Sequence, residues 1–209
     1  MVFPITLGPV AAGGESRSAA TDGSVSVVGG SGMMLGMPAL VRPAIVSGSL
    51  SQSVQPSIPA GRAAVLRPWT AGDAADVVEA FHDPAIQRWH VRRADSISEA
   101  AEWIDRWRSA WTTESECHWA VADLNTDKLL GRMSLKGLDL QDGTAGLAYW
   151  IVGNERGRGM CTLSVMALCQ WAFHDAGFHR IELEHSTSNP ASCRVAAKAG
   201  FHAEGTRRS

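Results

Sequence analysis

The spacing of apolar and polar residues changes several times along residues 63–207, and each change predicts a new element. Strands, whose side chains alternate between two faces, are predicted at residues 63–67, 117–122, 129–138, 144–152, 181–186 and 201–207. Helices, with apolar residues three and four apart, are predicted at residues 74–81, 84–89, 97–111, 163–173 and 190–199. This order predicts a mixed α/β chain.

Short turns join three of the predicted strands. Asn125 to Asp127 separates the first strand from the second, and Asp142 with Gly143 separates the second from the third. Strands joined by such short turns run antiparallel. Residues 117–152 therefore predict an antiparallel meander.

The longest predicted helix carries a stripe of tryptophans. Ser96 and Glu99 form a capping box at its start. Trp103, Trp107 and Trp111 recur every four residues and so share one face. We interpret this stripe as part of the core, and a wall of a binding groove is an alternative compatible with it.

A glycine-rich loop follows the last strand of the meander and opens the next helix. The free N–H groups of a helix N-terminus converge there, and the helix dipole adds about half a positive charge, so phosphate is a suitable ligand. Gly157 and Gly159 lack a Cβ and let an anion approach the backbone. Arg156 and Arg158 add positive charge. A plain left-handed turn is the alternative interpretation.

The loop does not fit the common nucleotide-binding patterns. A dinucleotide-binding loop needs a third glycine where this chain has Thr162, and a Walker A loop needs a Gly-Lys-Ser/Thr ending that is absent. The chain has instead Arg156, Gly159 and Cys161 in an Arg-x-x-Gly-x-small pattern. This pattern resembles the pyrophosphate loop of the GNAT acetyltransferases.

A second block of sequence strengthens this resemblance. A strand over residues 181–186 is followed by Asn189 and Ser192, then by a helix that ends in Lys198, Gly200 and Phe201. The block resembles the last motif of the same superfamily. Together the two blocks resemble its RimJ/RimL-like branch, which acetylates ribosomal-protein N-termini. The resemblance covers residues 63–209 and implies a mixed, mostly antiparallel central sheet flanked by helices, an α/β (α+β) fold.

The resemblance also implies a co-substrate, acetyl-CoA, and a set of residues that hold it. The strand before the loop would offer backbone N–H groups to the thioester, the loop would bind the pyrophosphate, Asn189 would hold the pantetheine arm, and Ser192 would face the sulfur. Many relatives have a tyrosine as general acid where this chain has Ala196, so Ser192 is the predicted substitute. The implied cofactor-binding residues are Trp150, Ile151, Val152, Arg156, Gly157, Arg158, Gly159, Met160, Cys161, Thr162, Asn189 and Ser192.

The general base is sought on the strand that leads to Asn189. Period two puts Glu182 and Glu184 on one face of that strand and His185 on the other. Glu184 is our candidate, with a water molecule relaying the proton. A solvated carboxylate without a chemical role is the alternative for at least one of the two glutamates.

Composition limits the remaining choices. The chain has 209 residues with 45% hydrophobic and 19% charged residues and a net charge of −2, which suits one domain and gives no reason to expect nucleic acid or an anionic membrane as partner. No apolar run approaches the ~20 residues of a membrane span. The four cysteines show no C-x-x-C pair and no metal spacing, so we expect a cytoplasmic protein with reduced thiols and no metal.

The two ends of the chain carry separate expectations. Residues 1–60 are poor in charged and aromatic residues and rich in Gly, Ser, Ala and Pro, so we predict a disordered segment there and a folded domain over residues 61–209. The relatives continue for a further strand where this chain stops, so the C-terminal strands are predicted to be truncated. An open sheet edge would follow, and such an edge favours a homodimer.

Two function classes follow from the sequence. The first is an acetyl-CoA-dependent N-acetyltransferase that moves an acetyl group to a primary amine, which the resemblance suggests is a protein N-terminal α-amine. A small-molecule amine is the alternative acceptor. The second class is a degenerate module that binds acyl-CoA or a partner protein without turnover, which Ala196 and the missing strands favour.

Overall fold

The computed structural model describes residues 2–8 and 41–206 of the chain. Residues 2–8 and 43–206 belong to one compact unit, and the second unit, residues 10–42, is described only at its last two positions. The strands of the compact unit are β1 Val2–Leu7, β2 Ile58–Ala60, β3 Ala64–Arg67, β4 Cys117–Asp123, β5 Leu129–Asp139, β6 Thr144–Ile151, β7 Arg180–Ser186 and β8 His202–Ala203. The helices are α1 Ala74–Phe81, α2 Pro84–Gln87, α3 Ile97–Thr112, α4 Met160–His174 and α5 Pro190–Lys198.

These strands form one mixed sheet in the order β2-β3-β4-β5-β6-β7-β1-β8. Neighbouring strands pair antiparallel except β6 and β7, which run parallel because the loop and α4 cross between them. The predicted meander is β4 to β6. The predicted fold, a mostly antiparallel sheet flanked by helices, is confirmed.

The sheet carries a separate apolar cluster on each face. Trp119 and Met133 pack with α4 on one face, whereas Ala120 and Trp150 pack with α1 and α3 on the other. Successive residues of a strand point to opposite faces, so β4 to β6 contribute to both clusters. The tryptophan stripe of α3 divides in the same way: Trp103 joins the second cluster, while Trp111 packs edge-on to Trp119 in the first.

Strand β1 pairs with β7 along its whole length. The antiparallel register runs from Val2↔Ser186 to Leu7↔Ile181, and β8 then pairs with the far side of β1 over two residues. A segment of the same chain therefore covers the edge of β7, and β8, from the predicted strand at residues 201–207, lies at the end of the sheet. The homodimer through an open sheet edge stays a prediction.

Residues 43–60 are also packed against the rest of the compact unit. The indole N–H of Trp111 donates to the carbonyl of Ser53 at 3.0 Å, and that of Trp119 donates to the carbonyl of Pro56 at 2.8 Å. Strand β2 extends the sheet beyond β3. These contacts anchor a segment whose own composition is too poor in apolar residues to form a core.

The predicted boundary at residue 61 therefore differs from the structure. The compact unit extends back to residue 43 and includes β1, so disorder does not describe residues 2–8 or 43–60. Residues 9–40, for which disorder is also predicted, lie outside the described residues. No helix in the described ranges is long and apolar enough to cross a membrane.

Candidate active site

The central feature of the site is a gap between β6 and β7. Their parallel register stops at Leu147↔Leu183, although β6 continues to Ile151 and β7 to Ser186. Beyond this point the facing edges have no strand partner in the described part of the chain. The backbone of β6 beyond Leu147 therefore borders the gap, and the N–H of Ile151 points into it, away from β5.

A cavity of about 870 Å³ is centred on this gap. Both strands line it, and so do the start of α4, the start of α5 and the inner side of α3. The cavity brings together most of the residues predicted for the site: Trp150, Ile151, Arg156, Gly157, Gly159, Met160, Cys161, Thr162, Glu184, Asn189 and Ser192. Val152 and Arg158, which were also predicted, are not part of its lining.

The loop before α4 has the backbone conformation expected of a phosphate-binding turn. Gly157 has φ +77° and Gly159, the N-cap of α4, has φ +80°. Such angles disfavour residues with a Cβ. A Cβ built on either glycine would meet no atom within 4 Å, so the space above the loop is open to an anion. The first N–H groups of α4 lie at the same place.

The two arginines of the loop have partners within the protein. Arg156 donates from Nε to the carbonyl of Ile151 at 2.9 Å and forms an ion pair with Asp83 at 2.7 Å. Arg158 pairs with Glu155 at 2.9 Å. Arg156 thereby fixes the loop to β6 and to the start of α2, and the predicted contribution of both arginines to phosphate binding stays a prediction.

Asn189 and Ser192 open α5 on the other side of the gap. The side-chain oxygen of Asn189 accepts from the backbone N–H of Ser192 at 3.1 Å, which makes Asn189 the N-cap of the helix. Ser192 is buried with 8% of its surface exposed and lines the cavity. The N-cap role predicted as the alternative for Asn189 is present, and its amide nitrogen is left for other contacts.

The structure adds the side chain of Tyr149 to the site. From the sequence, only the backbone of its strand had a predicted role. The phenolic oxygen of Tyr149 lies 2.8 Å from Oγ of Ser192 and lines the same cavity. Burial raises the pKa of Tyr149, so the phenol remains protonated well above neutral pH. Tyr149 is the only tyrosine in the chain, which is a signal that the sequence offers. Ala196, in contrast, is fully buried in the core.

Glu184 and His185 lie on the opposite lip of the gap, on β7. Both line the cavity: Glu184 is exposed there, and His185 is buried with Nδ1 3.0 Å from the carbonyl of Ser186. Glu182 forms an ion pair with Arg180 at 2.8 Å and is not part of the lining. Of the two glutamates, Glu184 is therefore the one placed where it could act as a base.

A chain of hydrogen bonds lies beneath the α3 side of the cavity. Glu116 accepts from Nε2 of His118 at 2.8 Å, and Nδ1 of His118 lies 2.8 Å from Oγ of Ser134. Ser134 in turn accepts from Nε of Arg132 at 2.8 Å. Burial lowers the pKa of His118 to about 4, so the imidazole is neutral and can donate at one nitrogen while accepting at the other.

Arg132 is the most deeply buried cation of the site. It is 7% exposed, lines the cavity, and has its guanidinium carbon 4.8 Å from the centroid of the Trp107 ring. Burial lowers the pKa of Arg132 to about 10, which leaves it charged at neutral pH. An arginine within a strand has no local signature, so the sequence alone does not indicate a role for Arg132.

The described residues contain no group of three His, Cys, Asp or Glu side chains that could hold a metal ion. The cavity is bordered by the glycine-rich loop at the start of α4, a split strand pair and two hydroxyl groups. These features suit an elongated ligand with a phosphate at one end and a polar reactive group at the other.

Comparison with known proteins identifies the same architecture. The sequence model of the acetyltransferase (GNAT) domain matches residues 64–202, from β3 to the start of β8. The chain is 28% identical over 156 residues to the probable N-acetyltransferase YjcK of Bacillus subtilis, a match that covers 71% of this chain and 85% of that protein.

Solved structures share the fold at lower identity. The ribosomal-protein-S5-alanine acetyltransferase of Vibrio fischeri superposes with a TM-score of 0.65 at 19% identity and covers 72% of this chain and 85% of its own. The microcin C7 self-immunity acetyltransferase MccE, solved with acetyl-CoA and AMP, superposes with a TM-score of 0.63 at 21% identity and covers 70% and 82%.

Proposed function

The chain belongs to the GNAT family of N-acetyltransferases, and from this premise we propose that it transfers an acetyl group from acetyl-CoA to a protein N-terminal α-amine. The single observation that carries the proposal is the gap between β6 and β7, which lies between the loop at Gly159 and the hydroxyl groups of Tyr149 and Ser192. This arrangement provides a site for each end of an acetyl-CoA molecule.

The loop supports the binding of the coenzyme's phosphates. Gly157 and Gly159 leave open space above the first N–H groups of α4, so backbone donors and the helix dipole can stabilise the pyrophosphate. The loop arginines act indirectly, because Arg156 holds the loop in place through Asp83. Asn189, as N-cap of α5, would contact the pantetheine arm.

The reaction needs a deprotonated amine, a stabilised carbonyl oxygen and a protonated leaving group. The amine forms a C–N bond to the thioester carbon, the C–S bond breaks, and the sulfur takes a proton. We assign this proton to the Tyr149 and Ser192 pair, since the raised pKa of Tyr149 keeps its phenol protonated. The backbone N–H of Ile151, which points away from β5 into the gap, would stabilise the oxygen, and Glu184 would accept the amine proton through water.

The proposed acceptor rests on one of the structural relatives. The Vibrio fischeri enzyme is named for a ribosomal-protein alanine, which supports a protein N-terminus here. MccE is a self-immunity acetyltransferase, and it supports a small-molecule amine as the second candidate. The proposal includes a cytoplasmic location, in which the four free cysteines would stay reduced.

A module without turnover was the other class considered from sequence. Its main support was the alanine at position 196, where a general acid was expected. Tyr149 supplies a phenol from β6 beside Ser192 at the start of α5, so this support is weaker. The enzyme is therefore the function that we propose.

Two measurements test the proposal. Coenzyme A should bind to the full chain in isothermal titration and raise its melting temperature by mass action. Incubation with acetyl-CoA and a panel of N-terminal peptides and small amines should release free thiol in proportion to acetylated product. Binding without thiol release from any acceptor would favour a module that binds acyl-CoA. No binding would contradict the enzyme and leave only a module that binds a partner protein.

A further inference from the structure

We propose that Arg132 forms a subsite for a carboxylate on the acceptor, so that the preferred acceptors carry an acidic group close to the amine. The inference rests on the proposed function, because it names the chemical class of the acceptor bound in the same cavity. It starts from a buried arginine whose two terminal nitrogens have no hydrogen-bond acceptor among the described residues.

The hydrogen-bond chain beneath the cavity uses only one side of the Arg132 guanidinium. Nε donates to Ser134 at 2.8 Å, and Ser134 is oriented by His118, which is oriented by Glu116. Within the described residues, the two terminal nitrogens of Arg132 have neither a hydrogen-bond acceptor nor an ion-pair partner. Their four N–H donors are therefore left for a ligand.

The surroundings hold the guanidinium firmly in this orientation. The ring of Trp107 lies against it at 4.8 Å from the guanidinium carbon, and His118 and Ser134 beneath it are 2% and 0% exposed. A buried cation is costly unless an anion neutralises it. Glu116 is linked to Arg132 through His118 and Ser134, and no carboxylate in the described part of the chain forms an ion pair with Arg132.

The subsite lies on the acceptor side of the sheet. Arg132 packs against α3, whereas Met133, its neighbour in β5, packs on the opposite face with α4. The phosphate-binding loop leads into α4, so the coenzyme phosphates and Arg132 are associated with opposite faces. In the sheet Arg132 pairs with Trp150, which lies at the gap where the acetyl group would be transferred.

The charge of the site favours a carboxylate over a phosphate. One guanidinium with two free nitrogens matches the two oxygens of a carboxylate in a bidentate pair. A phosphate would bring a second negative charge into a site that is buried beneath Trp107. The nearby cation Lys136 is exposed and would add only a weaker, solvent-screened attraction.

Matched peptides test the subsite in a binding experiment that does not depend on turnover. C-terminally amidated peptides with Glu or Gln at the second or third position would be titrated into the full chain saturated with coenzyme A. We expect the Glu peptide to bind on the order of tenfold more tightly than its Gln counterpart. Two further titrations form separate arms of the experiment. One uses free amino acids, which carry an α-carboxylate, and the other uses a phosphoserine peptide.

Variants of two arginines complete the test. Arg132→Gln should bind Glu and Gln peptides equally, and Arg132→Lys, which keeps the charge but loses the planar fork, should show an intermediate preference. Arg106→Gln is the matched control, because Arg106 lines the same cavity with an exposed side chain and should keep the preference. A melting-temperature shift with coenzyme A would show that each variant is folded.

The outcomes separate the subsite from the proposed function. Equal affinity of the wild type for Glu and Gln ligands in every arm, or a preference that survives in Arg132→Gln, would overturn the subsite. Tighter binding of the phosphoserine peptide than of the Glu peptide would overturn the carboxylate assignment. Thiol release without a Glu preference would leave the enzyme without this subsite, whereas a Glu preference without thiol release would leave the subsite and contradict the enzyme.

Discussion

The phenolic oxygen of Tyr149 on β6 lies 2.8 Å from Oγ of Ser192 on α5. The contact joins two elements that border the gap in the sheet, and the N-cap residue Asn189 holds Ser192 in place at 3.1 Å. Because burial raises the pKa of Tyr149, the pair remains a proton donor over the whole neutral range. A proton for the departing thiolate is therefore available where the acetyl group would be transferred.

Removing the phenol should affect the chemical step and not the binding of the coenzyme. We expect Tyr149→Phe to lower kcat by about 100-fold or more, the lower range for a general acid, with little change in coenzyme A affinity. Steady-state thiol release and isothermal titration measure the two effects.

The Ser192→Ala variant and the double variant are the controls for this prediction. The two hydroxyls share one hydrogen bond, so the double variant should lose less activity than the product of the two single losses. Independent, multiplicative losses would contradict a shared proton donor, and so would an unchanged kcat in Tyr149→Phe.

The second prediction concerns the charge above the phosphate-binding loop. Gly159→Asp places a carboxylate in the open space at the N-terminus of α4 and should abolish the melting-temperature shift caused by coenzyme A. Gly159→Asn is the matched control, since Asn has the same shape, tolerates the φ of +80° similarly and carries no charge.

Differential scanning fluorimetry with and without coenzyme A compares the two variants. The Asn variant should keep a reduced shift, and the Asp variant should lose it. An equal shift in both would show that the phosphates do not bind at this loop.

The third prediction tests how residues 43–60 are attached to the domain. Glu114 follows α3 and accepts backbone N–H bonds from Gly48 at 2.7 Å, Leu50 at 2.8 Å and Ser51 at 3.0 Å. Glu114→Gln keeps the shape but removes the charge that strengthens these bonds, so we expect the free energy of unfolding to fall by about 1–3 kcal/mol.

Urea denaturation measures this change. Glu102→Gln is the control. Glu102 is exposed on α3, and its ion pair with Arg106 is long, at 3.8 Å. The loss of this pair should change the free energy of unfolding by less than about 0.5 kcal/mol. Equal stability of Glu114→Gln and the wild type would show that this attachment contributes little to the folded state.

Local patterns predicted the parts of the site that are close together in sequence. The glycines of the loop, the start of α4 and the Asn189 cap each depend on a few neighbouring residues, and the structure places all of them on one cavity. Pairs that are far apart in sequence were not predictable. Tyr149 and Ser192 are 43 residues apart, and no local rule brings a strand tyrosine to a helix serine.

The start of the domain shows why composition alone was misleading. Composition indicates whether a segment can bury enough surface by itself. Residues 43–60 and β1 do not have to bury enough surface by themselves. Two tryptophan indoles donate hydrogen bonds to the first segment, and the edge of β7 pairs with β1. The Arg156 to Asp83 ion pair, which gives a predicted phosphate ligand a partner within the protein, depends likewise on tertiary contacts that sequence spacing does not show.

The last prediction is the pH dependence that His118 gives to stability. Burial lowers the pKa of His118 from 6.5 to about 4, so the unfolded chain binds more protons at this residue than the folded chain between these values. The part of the free energy of unfolding that depends on the neutral imidazole is fully present above pH 6.5. It is lost as the pH falls towards 4. The pKa difference corresponds to at most about 3.5 kcal/mol. Glu116, whose pKa the His118 hydrogen bond lowers, adds a further loss in the same direction at lower pH.

Urea unfolding of the wild type and of His118→Asn at several pH values between 4 and 7.5 measures this contribution. The variant has a lower stability at neutral pH because it disturbs the contacts to Ser134 and Glu116, so the informative quantity is the slope of the free energy of unfolding against pH. We expect this slope to be smaller in the variant between pH 4 and 6.5, because the titrating imidazole is gone. Parallel curves for the two proteins would show that His118 is protonated equally in the folded and unfolded chains. In that case the imidazole could not serve as the neutral link that orients Ser134 towards Arg132.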